Sequence, residues 1–304
     1  MHSRSMDLGS YSWQHFHNPT HRELAKIASR FELAHEFIRE TLTPEQRPKL
    51  IFAETYLFMV LLYPVYNAKQ GKKLETAEID FFMGKDFFIT IHKGDSAVED
   101  IFSRVNKDKE SAKKYLDNPS ALLADIVSES LCDCWGILND LCTALSELSG
   151  KILGNDDRKL LSDMLGNKTK ITHLKKILHN QHKILSRLGS RSNIFICCAR
   201  DTENLSDVID MNRDIWDYLV AYDETVDSFQ ETYESAATYR QNHILQRLTI
   251  LSSIVLPATL LASVFSMNMI PDGFLDPVFF WILVGIMVSL GIILFSVYKI
   301  KKWL

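Results

Sequence analysis

Charge is missing from two stretches of this 304-residue chain. No Asp, Glu, Lys or Arg occurs from Leu248 to Pro271, and none from Val278 to Tyr298. Each stretch supplies about 20 residues, enough for a helix to cross about 30 Å of hydrocarbon. The core helices of soluble proteins are usually shorter and keep a charged face. The absence therefore predicts two membrane-spanning helices, residues 248–268 and 278–298, joined by an external loop over 269–277. That loop has no Lys or Arg, whereas Arg240 and Arg247 flank the start of the first span and Lys299, Lys301 and Lys302 follow the second, in a basic tail over 299–304. By the positive-inside rule both chain ends face the cytoplasm. No apolar signal-peptide core opens the sequence, which agrees with an N-terminal domain that stays inside. The expected location is the cell membrane, plasma or inner, with the bilayer as a partner.

Other scarcities narrow the function. The five cysteines, Cys132, Cys134, Cys142, Cys197 and Cys198, are odd in number, and a reducing compartment disfavours disulfides. Cys132, Cys134 and Cys142 lack a standard zinc spacing and read as small buried thiols. His15, His17 and His21 read as surface residues. Residues 1–240 carry 30 basic and 36 acidic residues, a net of −6, so there is no basic footprint for nucleic acid. Phosphate-binding glycine loops, a nucleophile with its base and a metalloprotease helix are all missing. The chain does not read as an enzyme, and no organic cofactor is expected. Gly and Pro are absent from Ser190 to Leu256, which predicts one helix from near Asn204 to Asn268, of the order of 100 Å long at about 1.5 Å per residue. A helix that long needs neighbours, which points to a bundle of identical copies.

What is present upstream is mixed. Residues 1–10 read as a disordered start. Leu24, Ile27, Phe31, Leu33, Ala34, Phe37 and Ile38 give residues 22–40 a helical period. The stretch 50–66, LIFAETYLFMVLLYPVY, is rich in aromatic and β-branched residues, and AEIDFFM and DFFITIH flank a turn at Gly84-Lys85. An α/β domain is expected over 11–115 and a helical region over 116–200, with helices near 120–148 and 156–188, the second interrupted at Gly166. A stalk helix follows over 201–247.

The first span carries a stripe. Thr249, Ser252, Leu256, Thr259, Ser263 and Ser266 recur at spacings of three and four and share one helical face, and Asn242 and Leu245 extend it. Two readings remain open: a pore lining in an oligomer, or small residues that let helices pack closely. Asn268 ends the span with an amide oxygen where an entering cation first meets protein. Mg²⁺ prefers oxygen ligands and holds its waters tightly, so a ring of amides can grip the hydrated ion by hydrogen bonds. A carboxylate ring would bind more tightly and risk trapping the ion. Asn is equally at home as a helix C-cap, and the two roles are compatible. Pro257 removes a backbone hydrogen bond mid-span, beside Leu256, which reads as an apolar constriction. Upstream, Asp201 to Glu234 holds eleven acidic residues against Arg213 alone. Such a run is either a solvated face or, packed several-fold, a set of carboxylates that repel unless cations sit between them.

The C-terminal arrangement resembles the CorA family of divalent-cation channels. The carriers are the two spans, the basic tail KIKKWL, and Ser266-Met267-Asn268 at the position of the family's Gly-Met-Asn motif. RPKLIFAETYLFMVL (47–61) and AEIDFFMGKDFFITIHKGD (77–95) are similar to that family's cytoplasmic α/β domain. The resemblance implies a funnel-shaped homopentamer: an α/β cytoplasmic domain, a long helical stalk and two C-terminal transmembrane helices. Ser266, Met267 and Asn268 would form the selectivity filter, Leu248 and Leu256 apolar constrictions, and Asn242 a polar ring at the inner mouth. It further implies Mg²⁺ as both transported and regulatory ion, with Co²⁺ and Ni²⁺ as further substrates. Intracellular Mg²⁺ bound between cytoplasmic domains would hold the channel closed, with Asp207, then Asp210, as ligands. A zinc transporter of the ZntB type and a non-conducting membrane scaffold are the alternatives.

Overall fold

A computed structural model describes residues 3–43, 47–67, 73–94, 96–116, 118–152, 158–190, 199–265 and 277–301. The chain divides into two compact units, residues 1–152 with 157–229, and residues 153–156 with 230–304.

In the first unit, β1 (Ser3–Asp7), β2 (Ser12–His17), β3 (Lys49–Phe52), β4 (Tyr56–Asn67), β5 (Lys73–Gly84) and β6 (Phe87–Lys93) make one sheet in the order β1-β2-β6-β5-β4-β3. All pairings are antiparallel except β2 with β6, which run parallel with His15 opposite Thr90 and His17 opposite His92. Of the disordered start expected over residues 1–10, Ser3 to Asp7 are instead a strand, and Met1 and His2 lie outside the described residues. Ser3 to Asp7 pair with β2 and supply one edge of the sheet, because backbone hydrogen bonds to a neighbour can order a polar segment that has little apolar content to signal it.

Both faces of the sheet are covered, which explains the near-continuous apolar run of β4. On one face Phe16, Phe58, Val60, Phe82, Ile89 and Ile91 pack with Leu24, Ile27, Ala28, Leu33 and Ile38. Leu24, Ile27 and Ala28 come from α1 (His21–Arg30), Ile38 from α2 (His35–Thr41), and Leu33 from the turn between them. The predicted single helix over 22–40 is thus two. The chain turns at Glu32, whose φ is +51°, so that Leu33 reaches the core at 4% exposure. Ala34 has no capping side chain, and its orphan N–H donates to the Tyr56 hydroxyl at 2.9 Å. The other face meets α3 (Ala97–Lys107), α5 (Pro119–Lys151) and α6 (Arg158–Ser190), with the short α4 (Lys109–Lys113) between α3 and α5. At the β5–β6 turn Gly84 is required by space, since a Cβ there would fall 2.4 Å from the Phe87 ring.

α6 runs without a break through Gly166. Leu160, Met164, Asn167, Ile171, Leu174 and Leu178 are buried along one side of it, and that packing outweighs the roughly 1 kcal/mol a helical glycine costs. The long helix α7 (Ala199–Phe265) has 67 residues and holds Pro257 inside it. Within the first unit it is pinned by a polar relay: Asn212 donates to Gln181 at 3.1 Å, and Gln181 donates to the Leu62 carbonyl at 2.6 Å. Both amides are fully buried, where an unmade hydrogen bond would be expensive. The second unit contains the C-terminal part of α7 and α8 (Pro277–Ile300).

Candidate functional site

In the second unit the side chains of α7 divide by exposure. Asn242, Leu245, Leu248, Thr249, Ser252, Leu256, Thr259 and Ser263, the expected stripe, are all exposed. Ile250 is buried, and Ser253, Ile254, Pro257 and Ala258 are partly covered. Gly291 of α8 lies on this second side, where an added Cβ would sit 3.8 Å from Ile254. The stripe therefore faces away from α8, and Leu248, Leu256 and Leu260 are 57%, 67% and 64% exposed. Thr249 and Thr259 donate their hydroxyls back to the carbonyls of Leu245 and Val255, at 2.8 and 2.9 Å. This satisfies the donors within the helix and leaves oxygen lone pairs outward. Ser266, Met267 and Asn268 lie outside the described residues. Among the described residues, α7 contains within Asn204–Leu260 an 18-residue window apolar enough to cross a membrane, and α8 contributes a shorter apolar stretch, Val284–Ile300.

The acidic run of α7 proves to be heterogeneous. Asp223 pairs with Lys168 at 2.6 Å and Lys175 at 2.8 Å, and Asp227 pairs with Lys168 at 2.7 Å. Burial alone would raise the Asp223 pKa, but hydrogen bonds and charge from the two lysines override it and lower it. Asp207 and Asp210, by contrast, are exposed, as the flank of a helix must be when Leu205, Val208 and Ile215 turn inward.

Histidine is where the structure departs most from expectation. His21 is exposed, but His15 is 2% exposed and sits in the sheet face that meets α3. Its Nδ1 lies 3.1 Å from the Thr90 hydroxyl and its Nε2 lies 3.2 Å from Glu99 of α3. His92 of β6 stacks between His15 and His17, with ring centroids 5.0 and 4.7 Å away. Alternation on β2 could have put His15 and His17 on one face. Their meeting with His92 and Glu99 depends on the β2–β6 register and on α3, which local pattern does not reveal. His17, His92 and Glu99 border a pocket of about 630 Å³ lined also by Asp100, Asp133 and Tyr63. Among the described residues the cysteines make no such cluster, and Cys197 and Cys198 lie outside them. Cys132 and Cys142 are exposed and Cys134 is buried, a correction to the expectation of buried thiols. Residues two apart on a helix point about 200° apart.

The profile of the family described as "CorA-like Mg2+ transporter protein" matches residues 9–301. The chain is similar to the "Cobalt/magnesium transport protein CorA" of Thermotoga maritima, 22% identical over 281 residues that cover 88% of this chain and 76% of that one. Its fold is similar to the complete structure of the CorA magnesium transporter from Methanocaldococcus jannaschii, with a TM-score of 0.80, 21% identity, and coverage of 97% of this chain and 92% of that one. The ZntB cytoplasmic domain from Vibrio parahaemolyticus is also similar in fold, with a TM-score of 0.62 and 12% identity over 77% of this chain and 90% of that one.

Proposed function

The chain belongs to the family of CorA-like Mg²⁺ transporter proteins, and from that premise we propose that it forms a homopentameric membrane channel that admits Mg²⁺, and also Co²⁺ and Ni²⁺. The family's members move divalent cations and are transporters rather than enzymes. The observation that carries the reading is the exposed stripe from Asn242 to Ser263, turned away from α8. In a ring of copies this face lines the axis, and Leu248 and Leu256 narrow it. Apolar constrictions gate by shedding water. α8 is the second span, both chain ends are cytoplasmic, and residues 269–277 face outward.

Asn268 takes the ion at the outer mouth, next to Ser266 and Met267. Its amide oxygen holds the hydrated dication without the trapping strength of a carboxylate. Entry is driven by the membrane potential, about 2.3 kcal/mol per elementary charge per 100 mV and roughly twice that for a dication. Mg²⁺ bound between neighbouring subunits at Asp207 and Asp210 closes the channel. When the ion leaves, the carboxylates repel.

Uptake into proteoliposomes tests this. Mg²⁺ flux should be present in the wild type and fall at least tenfold in Asn268→Ala. Flux of Zn²⁺ without Mg²⁺ would instead assign a transporter of the ZntB kind. No flux of either ion from inserted, folded protein would leave a scaffold.

A further inference from the structure

His15, His92 and Glu99 bring three ligand-type atoms within 4.8 Å of one another inside the first unit. They come from three elements, β2, β6 and α3. His92 Nδ1 is 3.0 Å from the Gly94 carbonyl. A carbonyl only accepts, so Nδ1 carries the proton and Nε2 a lone pair. That Nε2 has no hydrogen-bond partner among the described residues, on a side chain 1% exposed. A buried acceptor left unpaired is costly and calls for an explanation. It lies 4.0 Å from Glu99 Oε2, and His15 Nε2 lies 3.2 Å from the same oxygen. Two imidazole nitrogens thus converge on one carboxylate oxygen.

We propose that His15 Nε2, His92 Nε2 and Glu99 Oε2 bind one borderline divalent metal ion of the Zn²⁺, Co²⁺ and Ni²⁺ class, within a single subunit, at a site chemically unlike the all-oxygen sites of the proposed function and independent of that reading. Imidazole nitrogen selects these metals over Mg²⁺, which favours oxygen. Two His and one Glu leave a fourth position for water, here on the side of the pocket that Asp100 and Asp133 also line.

The surroundings fit. Burial, with a smaller push from His15 and His17, brings the His92 pKa down to about 4, and burial lowers that of His15. Both rings are therefore neutral near pH 7, as ligands must be. Thr90 Oγ1 also receives the Trp13 indole N–H at 3.1 Å and can accept from or donate to His15 Nδ1. It can therefore fix whichever tautomer the other nitrogen needs, as outer partners of metal-binding His do. Without metal, His15 Nε2–H donates to Glu99. Binding needs the other neutral tautomer: the ring's single proton moves from Nε2 to Nδ1, where Thr90 Oγ1 can accept its hydrogen bond, and Nε2 offers its lone pair to the ion with no net loss of a proton from the ring. Arg4 holds the other Glu99 oxygen at 2.7 Å, so it compensates the carboxylate without blocking Oε2. Bonds of about 2.1 Å at tetrahedral angles put ligand atoms about 3.4 Å apart. The three groups must therefore draw together slightly, and the ring planes of His15 and His92, now 19° apart, must tilt toward the ion. Glu99, on a helix and partly exposed, supplies that movement, and the bound ion ties α3 to the sheet.

The test is Co²⁺ titration of the full chain in detergent with Mg²⁺ in excess to fill oxygen sites. Four- or five-coordinate Co²⁺ with nitrogen ligands absorbs visible light much more strongly than octahedral all-oxygen Co²⁺. One equivalent per subunit should give the intense bands. His92→Gln and Glu99→Gln should each weaken that binding at least tenfold, with unchanged circular dichroism and Mg²⁺-dependent melting. The thermal midpoint should rise with Co²⁺ in the wild type and not in the variants. Arg4→Ala, which removes a positive charge beside Glu99 and leaves all three ligand residues in place, should tighten binding severalfold. Only weak octahedral bands, or intense bands that persist in both ligand variants, would overturn the proposal.

Discussion

Lys168 and Lys175 reach Asp223 at 2.6 and 2.8 Å, so this carboxylate is already neutralised by its own chain. An acidic residue that has captured two lysines does not need a metal ion, whereas exposed Asp207 and Asp210 are still available to neighbouring copies. The pairing makes a signed prediction. The folded-state pKa of Asp223 is depressed, so its stabilisation is present above the unfolded value near 4 and is lost as pH falls through the folded one. Asp223→Asn should cost about 1 kcal/mol at pH 7, measured by chemical denaturation, and the gap from wild type should close below about pH 4. A gap that stays constant with pH would mean that the side chain acts through packing and not charge. His15 teaches a related lesson. Placed in a polar-looking N-terminal stretch, it is buried between Phe102 and His92, with ring centroids 5.1 and 5.0 Å away.

Helices here are held by what they pack on more than by their own propensities. α6 passes through Gly166 although local preference favours a break. A Cβ at Gly166 would meet nothing within 4 Å, so Gly166→Ala should stabilise by about 0.5–1 kcal/mol through reduced freedom of the unfolded chain. For a unit of this size that is a rise in melting temperature of about 2–4 °C per kcal/mol. A fall in Tm would show that the glycine serves a contact with another copy. The opposite case is the break between α1 and α2. Periodicity over 22–40 continues across it, but Glu32 takes a left-handed φ. The apolar stripe is shared by two short helices that follow the sheet.

The surface that a single chain leaves open calls for lipid or for further copies. Leu248, Leu251, Leu256 and Leu260 of α7, with Trp281, Ile286 and Ile292 of α8, are each more than half exposed. Contiguous apolar surface of this kind is met by lipid or by other copies. Native mass spectrometry in detergent should find five copies, and a monomer would remove the basis for a shared pore. If Asp207 and Asp210 close the channel through bound Mg²⁺, Asp207→Asn with Asp210→Asn should leave Mg²⁺ uptake running at millimolar internal Mg²⁺, where wild-type flux has fallen severalfold. Uptake that still shuts off would move the regulatory ligands elsewhere.

Much of this could be read in advance because its signals are local. Two uncharged stretches, the glycine- and proline-free run into the first of them, and the hydroxyl stripe with periods of three and four follow from hydrocarbon thickness and helical geometry, which act on consecutive residues. The aromatic, β-branched segments likewise announced β4, β5 and β6. Other features come from partners distant in the chain. β1 is a strand because β2 lies beside it. Asp223 is neutralised by lysines about fifty residues earlier on α6. His15 faces His92 and Glu99 because a parallel β2–β6 register and the seat of α3 bring together groups more than seventy residues apart. Hydrogen-bond pairing, ion pairing and metal ligation depend on distances of a few ångströms, and across such separations folding alone sets those distances.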